Sequence, residues 1–113
     1  MLDRQLQVFE DWDAKHRVRL RALLTDELIE EHARKPSGQH SDALERVLAY
    51  FRRQSMPGKL VVIMTKPWEE YRIAALSGVR GEPARLVDDE VFPTEESALH
   101  GVFLRRVNEL RSN

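Results

Sequence analysis

Residues 56 to 78 read MPGKLVVIMTKPWEEYRIAALSG, and this stretch takes the chain out of the all-helical class. Met56-Pro57-Gly58 closes whatever precedes it, and Lys59 to Thr65 is a run of β-branched and aliphatic side chains bounded by turn residues. Such a run, too short for a helix of ordinary length, reads as a buried β-strand. Lys66-Pro67-Trp68-Glu69 connects it to Tyr71 to Leu76, a second strand whose alternative is a helix continued from Trp68. Gly78 and Gly81 supply a turn, and a short third strand is expected at Arg85 to Val87 or at Val91-Phe92.

The remaining elements on either side are helical. Asp3 to Leu24 contains neither Pro nor Gly, and Leu2, Leu6, Phe9, Trp12, Leu20, Leu23 and Leu24 share one broad face at a 3.6-residue period. A helix of this length spans about 33 Å at about 1.5 Å per residue, longer than a small core requires, so residues 1 to 24 are expected to extend onto a partner. Asp13 and His16 interrupt the apolar face, as a helix break, a solvent-exposed midsection or a polar contact to that partner. Thr25-Asp26 offers N-cap chemistry for a short helix from Glu27 to Arg34, stopped by Pro36-Ser37-Gly38. Ser41-Asp42 caps a third helix to Gln54, with Leu44, Val47, Leu48 and Phe51 as its buried stripe.

Thr94 is the N-cap of a last helix running to Arg111, with Glu95 and Glu96 favourable to its positive end. Leu99, Val102, Phe103, Val107 and Leu110 form its apolar stripe, and Phe92 is placed to staple onto Ala98. Gly101 inside this helix signals close approach by another backbone. The expected fold is α+β and helix-rich, with a small antiparallel sheet of two or three strands, as one domain over residues 1–113.

Composition narrows the function. Lys and Arg number 18 against 19 Asp and Glu, and both halves are balanced, 10 against 10 up to Pro57 and 8 against 9 beyond it. No global field recruits nucleic acid or a membrane surface. Cysteine is absent, which removes thiolate chemistry and disulfides and suits a reducing, cytoplasmic setting. No window reaches the ~18 to 20 apolar residues of a membrane span.

Catalytic constellations do not emerge from the order of residues. His16, His32, His40 and His100 form no His pair at metal-ligand spacing, and Glu96 with His100 at i, i+4 reads as a surface or packing pair. Asp88-Asp89-Glu90 lacks the spacing and glycine of a calcium loop and reads as solvated. Ser55, Ser77 and Ser97 lie in no nucleophile motif, and Gly78-Val79-Arg80-Gly81 leads into no phosphate-binding helix. Trp12 and Trp68, beside Tyr71, are core aromatics by default and interface anchors otherwise.

Four blocks carry a resemblance: EEHARKP at Glu30 to Pro36, LAYFR at Leu48 to Arg52, WEEYRIA at Trp68 to Ala74, and FPTEESALHGVFLRR at Phe92 to Arg106. Through them the chain from Glu30 onward resembles the small (light, or alpha) subunits of N,N-dimethylformamidases, two-subunit amidohydrolases. The resemblance implies a non-catalytic subunit that packs on a large one. That large subunit would hold a mononuclear iron and hydrolyse an N-substituted formamide to an amine and formate. It carries no catalytic, cofactor or metal residue over to this chain. Leu6, Phe9 and Trp12 on the first helix and Arg105 with Arg106 on the last are the expected contacts to the large subunit. The competing readings are a stand-alone interaction module and an arm-type DNA-binding domain. Against the latter, residues 58 to 96 hold five basic side chains and eight carboxylates.

Overall fold

The computed structural model describes residues 2–112, with side chains from Gln7 onward. Among these residues the order is α1 (Leu2–Leu23), α2 (Asp26–Arg34), α3 (Asp42–Arg52), β1 (Leu60–Lys66), β2 (Glu70–Ala75), β3 (Arg85–Leu86) and α4 (Glu95–Ser112). The α+β, helix-rich expectation holds. Each expected cap is made: Thr25 Oγ1 accepts from the Leu28 amide at 3.2 Å, Ser41 Oγ from Leu44 at 3.3 Å and Thr94 Oγ1 from Ser97 at 3.1 Å. These bonds satisfy amide groups that the first turn of a helix leaves without partners.

The sheet is antiparallel in the order β1-β2-β3, with Leu60 opposite Ala75 and Met64 opposite Tyr71. Tyr71 to Ala75 is therefore a strand, and the helical alternative is excluded. Both expected sites for a third strand contribute. Arg85–Leu86 pairs with β2, while Phe92 and Tyr71 exchange two backbone bonds of 2.9 and 2.8 Å. Gly78 (φ 77°) makes the turn after β2 because Pro57 packs against it, 2.5 Å from where a Cβ would lie.

The run Leu60 to Ile63 is not fully buried; each of its residues is partly exposed and Met64 is open. The reason is topological, since β1 is an edge strand of a small sheet along which α4 lies. The burial expected there moves to β2, where Tyr71, Ile73 and Ala74 are covered.

Among the described residues nine make the main core, eight from the four helices and Leu24 from the α1–α2 link: Leu20, Leu24, Leu28, Leu44, Val47, Phe51, Phe103, Val107 and Leu110. In α4 the stripe is shifted from the expected one: Ala98 and Gly101 are buried and Leu99 and Val102 only partly so. What approaches Gly101 is a side chain rather than a backbone. A Cβ there would meet Phe92 Cζ at 2.7 Å and Ile73 Cδ1 at 3.3 Å. Phe92 thus reaches two turns into α4, further than the expected staple on Ala98.

Candidate functional site

The helix α1 runs unbroken past Asp13 and His16, and its two halves have different surroundings. Leu20, in the second half, and Leu24, just beyond the helix end, are buried against α3 and α4, and Arg21 Nε donates to the Leu110 carbonyl at 2.7 Å. The first half has no such cover: Phe9 is 61% exposed and Trp12 54%. The core absorbs only the second half because α3 and α4 are shorter than α1 and meet it there.

The exposed half is organised by its aromatic side chains. The rings of Phe9 and Trp12 lie 6.4 Å apart, Trp12 stacks on His16 at 5.2 Å, and His16 meets the edge of Tyr50 on α3 at 5.8 Å. Asp13 pairs with Arg17 at 3.3 Å on the same helix. The two polar interruptions break no helix and are partly buried, Asp13 in an ion pair and His16 in an aromatic stack with its Nε2 buried and, among the described residues, without a hydrogen-bond partner. The Leu6 side chain lies outside the described residues. Trp68, also expected in the core by default, sits at the tip of the β1–β2 hairpin with φ 62° and 81% exposure. A bulky residue pays a steric penalty of ~1 to 2 kcal/mol in that left-handed conformation.

The two arginines expected at the interface have intramolecular partners. Arg105 holds Asp88 at 2.5 Å and Glu90 at 2.9 Å, so the acidic run is only partly a solvated loop and ties the segment after β3 to α4. The Asp88 carboxyl is held below its ordinary range, first by the Glu90 amide and then by Arg105. Arg106 is half-buried and donates to the Phe51 carbonyl at 2.9 Å and the Leu60 carbonyl at 3.2 Å, bracing the end of α3 and the start of β1. Its guanidinium carbon stands 5.8 Å from the centre of the Phe51 ring.

The histidines come together in a way that their spacing conceals. His32 Nδ1 and His100 Nδ1 are 2.9 Å apart, one donating to the other, although 68 residues separate them. His100 therefore turns to α2 rather than pairing with Glu96. The His32 ring is 3% exposed and lies flat on Phe103 with centroids 4.0 Å apart; His40 stacks near it at 6.2 Å. Burial, then the charges of His100 and His40, push the His32 pKa down to about 4, with Glu31 acting the other way. His100 is lowered by burial as well. Sequence reading left His32 as one of four scattered histidines, and no local signal linked it to His100. Among the described residues no group of three or more His, Cys, Asp or Glu is arranged to hold a metal.

The family model for the N,N-dimethylformamidase alpha subunit matches residues 7–113. The chain belongs to the N,N-dimethylformamidase alpha-subunit family. An alpha subunit from Alcaligenes sp is 40% identical over 111 residues, covering 90% of this chain and 83% of that protein. One from Paracoccus aminophilus is 36% identical over 115 residues, covering 97% and 80%. The family match begins at residue 7, so it takes in most of α1, beyond the segment from Glu30 where the sequence blocks lie. Phe9 and Trp12 therefore fall within the matched region. Among the described residues no helix is long and apolar enough to cross a membrane.

Proposed function

We propose that this chain is the non-catalytic small subunit of a heteromeric, iron-dependent amidohydrolase of the cytoplasm. It binds and stabilises a large catalytic subunit that converts an N-substituted formamide to an amine and formate. Membership of the alpha-subunit family is the observation that carries this reading. The described residues gather no ligand set that fits the iron, and no chemical step is assigned to them.

The first half of α1 supports an external partner on physical grounds. Helical segments without tertiary cover are marginal in water, and two large aromatic side chains left half-open favour burial. Trp and aromatic clusters of this kind are the side chains that anchor protein interfaces. Arg105 and Arg106 contribute indirectly, by fixing the position of α4.

Size-exclusion chromatography with light scattering, on the chain alone and co-expressed with the large subunit, tests the proposal. A stable heteromer is expected, with iron and amide-hydrolysing activity found only when the large subunit is present. Replacing both Phe9 and Trp12 by Ala is expected to weaken assembly at least about tenfold, corresponding to roughly 1.4 kcal/mol. A well-behaved lone species that ignores the large subunit refutes the reading.

A further inference from the structure

An open groove of about 240 Å³ runs between the end of α3, the start of β1 and the middle of α4. Phe51, Leu99 and Val102 give it apolar walls. Arg52 at the end of α3, Lys59 in the loop just before β1 and Arg106 on α4 bring three cations to it, and its lining contains neither Asp nor Glu.

These cations are poorly compensated. Among the described residues, Arg106 and Lys59 make no ion pair with a carboxylate; their bonds go to neutral carbonyls of Phe51, Leu60 and Arg52. Arg52 reaches Glu45 only at 3.8 Å. A half-buried guanidinium facing an aromatic ring and neutral acceptors has lost water without gaining a counter-charge, and its pKa is lowered by that burial, with Glu109 acting against it. Each terminal nitrogen of Arg106 and the ammonium of Lys59 retains a further N–H to donate. A well-hydrated simple anion gains nothing from apolar walls, so the complementary chemistry is a carboxylate joined to a bulky apolar group.

We propose that this groove seats an acidic segment of the large subunit, its carboxylate at Lys59 and Arg106 and a neighbouring apolar side chain between Phe51 and Leu99. The proposal rests on the small-subunit reading and adds a second contact to the aromatic row of α1. Charge complementarity of this kind sets register and accelerates encounter, and loss of a desolvated pair shows in the dissociation rate.

The test uses the assembled complex with Arg52→Gln and Lys59→Gln introduced together. These side chains lie at the rim, and the thermal midpoint of the free chain reports whether the fold survives. The Kd for the large subunit is expected to rise at least tenfold, with a shallower salt dependence. In the wild-type complex, zero-length carbodiimide coupling followed by mass spectrometry is expected to join Lys59 to an Asp or Glu of the large subunit. Wild-type affinity in the double variant with no such cross-link overturns the groove, and the small-subunit reading then stands if Phe9→Ala with Trp12→Ala still weakens assembly. If the wild-type chain forms no complex, both ideas fall. Should the double variant lose its fold, the Lys59 cross-link decides alone. Binding of isovalerate to the free chain, with the cross-link absent, overturns the proposal in favour of a small-molecule site.

Discussion

Acidification from about pH 7.5 to about pH 5 is expected to cost the folded chain roughly 1 to 2 kcal/mol through His32, working from its pKa of about 4 against an ordinary 6.5. Because the folded value is the lower one, the unfolded chain takes up a proton that the folded chain refuses. Stability is therefore full above about pH 6.5, falls as pH drops through that value, and levels off only below about pH 4. The geometry explains the refusal. The His32 ring is closed in against Phe103, where a charge would lose its water, and the neighbouring His100 and His40 rings oppose a further positive charge. A fully sheltered histidine would lose about 2 kcal/mol near pH 5; the half-buried His100 ring admits water and favours the lower part of the range. Glu31, Glu70 and Asp88 are depressed carboxyls, so their stabilisation is present above the ordinary carboxyl range and lost mainly below about pH 4.5. Urea unfolding followed by circular dichroism at both pH values, on wild type and on His32→Leu, measures the slope and subtracts the carboxyl background. An unfolding free energy that is flat over this window, or that falls equally in the variant, refutes the reasoning.

Gly101→Ala should lower stability by about 1 kcal/mol net, because a helix-propensity gain of ~1 kcal/mol is outweighed by overpacking against Phe92 and Ile73. The cost should shrink in a Phe92→Leu background, measured as a double-mutant cycle in thermal unfolding. Ser41→Ala should cost about 1 kcal/mol, since its hydroxyl both caps α3 through the Leu44 amide and donates to Glu31 at 2.7 Å. Ser41→Asp in the same assay should restore less than a normal cap, because a second carboxylate would face Glu31.

Local chemistry made the elements legible. Three hydroxyl caps, the proline and glycine punctuation and the aliphatic run at Leu60 act within a few residues of themselves, so helices and strands could be read from their order in the chain. Three of the four residues expected in the α3 stripe, Leu44, Val47 and Phe51, are buried against the core, and the fourth, Leu48, is partly buried at its edge. The stripe of α4 was read less well because this helix serves two surfaces, the helical core and the sheet, and small residues at Ala98 and Gly101 mark the closer contact.

The candidate site depended on distances that no spacing encodes. That α1 outruns its support could be anticipated from its length, and it placed Phe9 and Trp12 in solvent. The engagement of Arg106 with carbonyls 55 and 46 residues away arises only when α3, β1 and α4 converge, as does the meeting of His32 and His100. By itself, the sequence determined the helices, the first strand and the family, because backbone preference, capping and identity are local or cumulative properties of the chain, while the pairing of β2 with β1 settled the hairpin. Tertiary packing decided which strand became an edge, which aromatic side chains stayed open and which cations lost their counter-charges, because burial and electrostatics depend on neighbours brought together in space.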